Sequence, residues 1–106
     1  MLPNEYQELT KETQTPECTG LTYLTLGLCS EAGEVAGKHK KLIRGDYENE
    51  FNFEHDMIME LGDCLWYISR IADNFGVTLE YIMRQNIQKL QARQQNGTIK
   101  GNGDER

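Results

Sequence analysis

Two pairs of acidic residues constrain this chain more than any other feature of its sequence. Glu31 and Glu34 stand three residues apart, and Glu60 and Asp63 repeat that spacing. Residues at positions i and i+3 lie on the same side of an α-helix. Both pairs occur in long segments whose apolar residues recur at helical spacing, so each pair is expected beside a core-facing stripe. Any fold of this chain must therefore accommodate four carboxylates close to its apolar interior.

Residues that favour helix ends predict four helices and no strands. The expected helical segments are residues 4–13, 15–44, 52–74 and 78–93. Thr15 and Thr78 are the expected N-caps of the second and fourth helices, and Asn52 is that of the third. Short connections favour antiparallel packing of sequential helices, which predicts an all-α, four-helix bundle-like domain over residues 1–93. Residues 94–106 are rich in glycine and are expected to form a loop or a flexible tail.

The second helical segment contains an unusual number of glycines. They are Gly20, Gly27, Gly33 and Gly37. Each costs up to about 1 kcal/mol of helix stability relative to alanine. The segment is therefore expected to be broken or bent, or to let a neighbour or ligand approach its backbone closely.

Composition limits the classes of function that are open to this protein. The formal net charge is −6, which argues against nucleic-acid binding, because that affinity depends on basic surfaces. The sequence lacks the run of about 18 apolar residues that a membrane-spanning helix needs, and its first residues do not resemble a signal peptide. Three cysteines without a Cys-x-x-Cys pair are expected to be reduced. These features predict a cytoplasmic protein.

Each long helix carries a polar stripe beside its apolar stripe. The polar stripe of the second helix contains Glu31, Glu34, Lys38 and Lys41. The stripe of the third contains Asp56, Glu60, Asp63, Tyr67, Arg70 and Asn74, and that of the fourth contains Asn86, Lys89 and Arg93. Any one stripe alone is most simply the solvated side of an amphipathic helix. No basic residue follows Glu60 or Asp63 at i+4, however, and the separation of acids from cations favours a cleft shared by the three helices.

Four carboxylates brought together would repel one another unless a cation lay between them. Oxygen ligands suit Mg²⁺, Mn²⁺ or Ca²⁺ and do not single out zinc. Di-iron bundles use Glu-x-x-His pairs, and neither His39 nor His55 stands at that spacing. A metal-bound phosphate chain would also need cations to meet its other oxygens, and Lys38, Lys41, Lys89 and Arg93 are available for this. The sequence therefore predicts a site for Mg²⁺, Mn²⁺ or Ca²⁺, and Mg²⁺ held by carboxylates usually completes its coordination with water and substrate phosphates.

These motifs resemble those of the MazG-like all-α nucleoside triphosphate pyrophosphohydrolases. Glu31-x-x-Glu34 is followed, after a gap of 25 residues, by Glu60-x-x-Asp63. The resemblance extends to the segments LGLCSEAGEVAGKHKK, ELGDCLWYI and NIQKLQAR and covers most of residues 20–93.

The resemblance implies Mg²⁺-dependent hydrolysis of a (deoxy)nucleoside triphosphate between its α- and β-phosphates, which yields the monophosphate and pyrophosphate. It implies that the four acids bind the metal, and Glu34 is our choice for the residue that orients the attacking water. Contacts to the phosphates or sugar would come from Lys38, Tyr67, Asn86, Lys89 and Arg93. A homodimer or homotetramer is implied as well.

Several alternatives stay open from the sequence alone. A non-enzymatic helical module could bind a basic partner through an acidic stripe, although the cations on the other stripes argue against it. The base is not identified: Tyr6, Tyr23 and Trp66 are candidates for stacking on it, and each is also typical of a core or interface. The tail could fold over the site, bringing Lys100 and Arg106 to the phosphates, or could be disordered.

Overall fold

The computed structural model of the protein describes all residues from Met1 to Arg106 and contains helices but no strands. The four α-helices are α1 (Pro3–Thr10), α2 (Leu21–Arg44), α3 (Glu50–Asn74) and α4 (Leu79–Asn96). Two 3₁₀ turns, Lys11–Thr13 and Pro16–Cys18, connect α1 to α2. The predicted all-α fold is confirmed. None of the helices has the length and apolar character needed to cross a membrane.

The predicted start of α2 is wrong. Pro16 begins a 3₁₀ turn, and the side chain of Thr15 caps no backbone N–H group. Gly20, directly before Leu21, has a φ angle of 87°, a conformation that glycine adopts without the steric strain of other residues. The chain changes direction at Gly20, so α2 begins after this glycine and not at the proline.

Side-chain caps fix the starts of α3 and α4. Thr78 caps α4 as predicted, because its Oγ1 accepts a hydrogen bond from the Tyr81 backbone N at 3.0 Å. The cap of α3 is Asn49, whose Oδ1 accepts a hydrogen bond from the backbone N of Asn52 at 2.9 Å. The prediction of Asn52 as the cap is therefore wrong by one turn, since two asparagines stand at cap spacing and the first one is used.

Helices α2 and α3 pack antiparallel and make most of the tertiary contacts in the chain. Near one end of the pair, Gly27 of α2 lies against the ring of Tyr67 of α3. Near the other end, the rings of His39 and Phe53 lie with their centroids 5.8 Å apart. The acidic residues of both helices lie between these two contacts, so the hairpin itself brings them face to face.

Buried polar contacts, not an apolar core, attach α1 to the rest of the chain. Gln7 is buried and donates hydrogen bonds to Asp73 Oδ1 (2.7 Å) and to the Val77 carbonyl (2.9 Å), and it accepts one from the Leu79 backbone N (2.7 Å). Arg70 is also buried, donates to the Gln7 carbonyl at 2.8 Å and pairs with Asp73 at 2.7 Å. Arg70 therefore holds α1 on α3 and is not part of the acidic cleft.

Little apolar surface is buried within one chain. Only eight of the 106 residues are buried, and three of these are apolar: Leu24, Ala72 and Leu79. The radius of gyration is 16.6 Å, whereas a compact chain of this length would have a value of about 13 Å. Members of the predicted apolar stripes remain exposed, including Leu21, Leu61, Leu65, Phe75, Met83, Ile87 and Leu90. The apolar stripes of α2, α3 and α4 are therefore largely uncovered within one chain, because the helices splay apart.

Candidate active site

Three of the four predicted acids converge between α2 and α3. One carboxylate oxygen from each of Glu31, Glu60 and Asp63 lies within 4.8 Å of the other two. Glu31 and Glu60 are half-buried, and Asp63 is exposed. Glu34 is exposed, lies outside this group and has no hydrogen-bond or ion-pair partner. The antiparallel packing thus joins acids from both helices, and it leaves Glu34 at the margin of the cluster.

The cluster carries more negative charge than its surroundings balance. Burial raises the pKa of the Glu31 carboxyl, and the nearby charge of Asp63 raises it further, as do Glu60 and Glu34. Burial and then the charges of Glu31, Asp63 and Glu60 also raise the pKa of the neighbouring Cys64 thiol. Burial and the neighbouring carboxylates thus both disfavour a further negative charge at this point of the fold.

Glu60 has one oxygen near a cation and one without any partner. The Lys38 Nζ atom lies 3.7 Å from Glu60 Oε1, and both side chains are half-buried. Glu60 Oε2 is buried and makes no hydrogen bond. A buried acceptor left unpaired is costly, and a divalent cation would satisfy it. The donor set consists only of carboxylate oxygens, so the residues present fit a hard divalent metal ion.

A cavity of about 360 Å³ opens beside the carboxylates. Thr13, Glu31, Asp63, Trp66 and Tyr67 line it. The Trp66 Nε1–H group donates a hydrogen bond to Thr13 Oγ1 at 2.7 Å, which fixes the indole against the turn after α1. The Trp66 and Tyr67 rings meet edge to face, with centroids 4.9 Å apart. The carboxylates therefore adjoin an aromatic wall that is large enough to contact a planar ligand.

The other two candidate stacking residues lie elsewhere. Tyr6 lines a separate, almost entirely apolar cavity of about 510 Å³ between α1, α3 and α4. Tyr23 lies beside Cys18 at the start of α2, and this contact raises the pKa of its phenol. Trp66 is therefore the one member of the set that lines the cavity beside the carboxylates.

The cations predicted to bind phosphate divide into two groups. Lys38 reaches the cluster, and Lys41 is exposed three residues further along α2. Asn86 and Lys89 line a different surface cavity, of about 390 Å³, on α4. No hydrogen bond or ion pair connects the α4 residues, including Arg93, to the carboxylates. Within one chain, α2 and α3 form a single site, and the polar stripe of α4 lies apart from it.

The C-terminal tail folds back onto α4. Asp104 Oδ1 lies 3.4 Å from Lys89 Nζ and 3.3 Å from Arg93 Nη2. Hydrogen bonding and charge from Lys89, and then from Arg93, hold the pKa of Asp104 below its usual value. Arg106 donates to the carbonyls of Thr98 and Ile99, both at 3.0 Å, and so closes the tail on itself. The tail thus presents a carboxylate, and not Arg106, to the α4 cations.

Sequence reasoning identified Trp66 only as one of three candidates and did not identify Thr13 at all. The Thr13–Trp66 hydrogen bond joins residues 53 positions apart, so no local sequence pattern predicts it. The sequence did point to Gly27, because a glycine inside a helix can allow a neighbour to approach the backbone closely. The structure assigns that role to Gly27 alone among the three glycines inside α2, since a Cβ at Gly33 or Gly37 would meet open space.

A family model and a curated relative both match most of this chain. The family model described as MazG nucleotide pyrophosphohydrolase domain matches residues 19–98, which include all four acids and the polar stripe of α4. The Gene 37 protein of Mycobacterium phage L5 is 43% identical over 89 residues, which represent 82% of this chain and 77% of the phage protein. No solved structure matches the chain significantly. The family match spans well over half of the chain, and on this basis the protein belongs to the MazG nucleotide pyrophosphohydrolase family.

Proposed function

We propose that this protein hydrolyses a (deoxy)nucleoside triphosphate between the α- and β-phosphates, with Mg²⁺, to give the monophosphate and pyrophosphate. The observation that carries the proposal is the convergence of Glu31, Glu60 and Asp63 around a buried Glu60 oxygen that has no partner. Membership of the MazG family supports pyrophosphohydrolase chemistry on a nucleotide. The three free cysteines suit the reducing conditions of the cytoplasm, where we expect the enzyme to act.

Glu31, Glu60 and Asp63 would hold the metal, and Glu34 would complete the set from its position one turn along α2. Carboxylate-only donors favour Mg²⁺, with Mn²⁺ as a substitute. A divalent cation bound there would polarise the phosphate oxygens and lower the pKa of a water molecule.

The protein's own residues would supply the remaining chemistry. Glu34 is exposed and unpaired, so its carboxylate is free to orient the attacking water and to accept its proton. The water oxygen would bond to the α-phosphorus. The bond from that phosphorus to the oxygen that bridges the α- and β-phosphates would break, and pyrophosphate would leave with the electron pair of this bond. Lys38, already drawn to the cluster by Glu60, would meet the negative charge that grows on the phosphate oxygens.

The cavity beside the carboxylates would receive the nucleoside end of the substrate. Its walls include the rings of Trp66 and Tyr67, and aromatic faces bind a planar base with little regard to its identity. Lys41 lies further along α2, on the side where the phosphate chain would leave the cleft. We assign catalysis to the domain formed by residues 1–93.

We also propose that the working enzyme is a homodimer or homotetramer. The extended shape and the exposed apolar stripes of one chain support this, because a stable monomer rarely leaves so much apolar surface uncovered. In such an assembly, Asn86, Lys89 and Arg93 would reach the phosphates from a second copy, which would explain their distance from the carboxylates within one chain.

A product assay tests the proposed function. The purified protein is incubated with separate NTPs and dNTPs plus Mg²⁺, and pyrophosphate and orthophosphate are measured independently. We expect pyrophosphate and a nucleoside monophosphate in equal amounts, and no turnover in EDTA. Orthophosphate as the first product would contradict cleavage at the α–β bond. If no nucleotide is hydrolysed, either with Mg²⁺ or in EDTA, the result would favour the non-enzymatic interaction module.

A further inference from the structure

Gly27 is the one glycine within α2 or α3 whose backbone lies against a side chain of the other helix. A Cβ atom built on Gly27 would overlap Cε1 and Cζ of Tyr67 and would lie 2.8 Å from its Cδ1. These atoms belong to a rigid ring, not to the flexible end of a side chain. Any larger residue at position 27 would therefore force the ring or the helix to move.

The register of the antiparallel pair explains why this contact matters. Gly27 stands four residues before Glu31 on α2, and Tyr67 stands four residues after Asp63 on α3. One helical turn therefore separates the Gly27–Tyr67 contact from the Glu31–Asp63 pair on both helices. The ring occupies the next layer of the same helix interface, immediately beside the carboxylates.

Tyr67 also forms part of the cavity that contains those carboxylates. Its ring packs edge to face on Trp66, which is in turn held by Thr13. Burial, the thiol of Cys18 and the charges of Glu31 and Asp63 raise the pKa of the Tyr67 hydroxyl, consistent with a ring enclosed near the acidic cluster. A displacement of Tyr67 would therefore change the wall of the cavity and the position of the indole together.

We propose that Gly27 is a positioning residue for the substrate: by having no side chain, it lets the Tyr67 ring lie against α2 and form the cavity wall beside Glu31 and Asp63. The kinetic consequence rests on the proposed function, whereas the structural consequence does not. Gly27 touches no substrate in this scheme and acts entirely through Tyr67.

Four variants test the proposal: Gly27→Ala, Tyr67→Ala, the double variant, and Gly37→Ala as the matched control. Gly37 lies on the same helix and has open space where its Cβ would be. Trp66 is the only tryptophan, so the intrinsic fluorescence of the protein reports on the cavity wall. Each variant is compared with the wild type for emission maximum, thermal denaturation, and KM and kcat on the nucleotide that the wild type hydrolyses best.

We expect Gly27→Ala to shift the Trp66 emission and to raise KM about tenfold, roughly the loss of one good aromatic contact, with a smaller change in kcat. Tyr67→Ala should raise KM to a similar extent, and the double variant should be no worse than Tyr67→Ala, because the two residues act as one unit. Gly37→Ala should raise the melting temperature through helix propensity and leave emission and KM unchanged.

If Gly27→Ala folds, two results would overturn the proposal. One is a Gly27→Ala variant whose emission and KM match those of Gly37→Ala. The other is a double variant whose losses are the sum of the single losses. Should Gly27→Ala fail to fold, removal of the ring in the double variant must restore folding, and a double variant that is also unfolded refutes the idea. If the wild type releases no pyrophosphate, the proposed function fails, and the emission and denaturation results still decide whether Gly27 places the Tyr67 ring against α2.

Discussion

The Lys38 ammonium lies 3.7 Å from Oε1 of Glu60, and the two side chains are only 19% and 15% exposed. No other cation forms an ion pair with the three clustered carboxylates. Lys38 therefore offsets part of their mutual repulsion, while the second Glu60 oxygen stays buried and free. Under the proposed function, the same ammonium would also meet a phosphate held at the cluster, and so would serve both the fold and the substrate.

Replacing Lys38 by methionine should affect both roles. The melting temperature in EDTA should fall, because the half-buried Glu60 carboxylate loses its partner, and KM for the nucleotide should rise by about tenfold or more. Lys40→Met is the control, since Lys40 is exposed and forms no ion pair. Equal effects of the two substitutions on KM would contradict a specific role of Lys38.

Asp63→Asn should abolish most of the metal binding without lowering the stability of the metal-free protein. Asp63 has no ion pair, so its neutralisation strands no cation and only relieves repulsion by Glu31 and Glu60. We expect the EDTA melting temperature to stay constant or rise, and activity to fall by roughly two orders of magnitude or more. Mg²⁺ should stabilise the wild type by mass action and stabilise the variant far less. A large fall of the EDTA melting temperature with an unchanged Mg²⁺ increment would refute the metal site.

The free energy of unfolding should depend on pH through the raised pKa of Glu31. Its pKa in the folded protein is raised, chiefly by burial and then by Asp63, so the folded state binds this proton more tightly than the unfolded state does. The penalty for charged Glu31 is therefore present at neutral pH, is relieved as pH falls through the raised pKa, and is absent below the unfolded value of about 4.3. In EDTA, Glu31→Gln should melt above the wild type at pH 8, and this gap should narrow toward pH 5. If the difference in melting temperature widens on acidification, the pKa of Glu31 is not raised in the folded protein.

Asp104 should compete with substrate for Lys89 and Arg93. Its carboxylate pairs with both cations and has a depressed pKa, as expected of an anion that they attract. If these cations bind phosphate, Asp104→Asn should lower KM severalfold with kcat little changed, because one competing anion is removed. Glu105→Gln makes the same change of charge at an exposed neighbour without a partner and should have no effect. A rise in KM for Asp104→Asn would show that Asp104 instead orients the cations for binding.

The protein should form at least a dimer in solution, because association would cover the apolar surface that one chain leaves exposed. Light scattering at micromolar concentration should give at least twice the protomer mass of 12.2 kDa. Met83→Glu places a charge on α4 beside the apolar cavity shared with α1 and α3, and it should weaken the assembly and the activity together. A monomeric wild type with full activity would remove the proposal that a second copy completes the site.

The amino-acid sequence by itself determined the parts of this protein that depend on short-range interactions. Helical periodicity identified α3 and α4, Thr78 was recognisable as a cap, and the paired acids indicated that carboxylates would lie on facing sides of two helices. Each of these features depends on residues within about one or two turns of each other, so a local pattern is sufficient. Even locally, one positive-φ glycine, Gly20, moved the start of α2 away from an otherwise good Thr15–Pro16 signal.

The tertiary structure alone decided which of the equivalent candidates meet. Spacing treats Glu31 and Glu34 alike, yet the rotation and register of α2 against α3 bring Glu31 into the cluster and leave Glu34 outside it. The same packing assigns Arg70 to the α1 junction and Trp66 to the cleft. These outcomes depend on distances between residues more than 25 positions apart along the chain, which are fixed by how whole helices pack and not by any local preference.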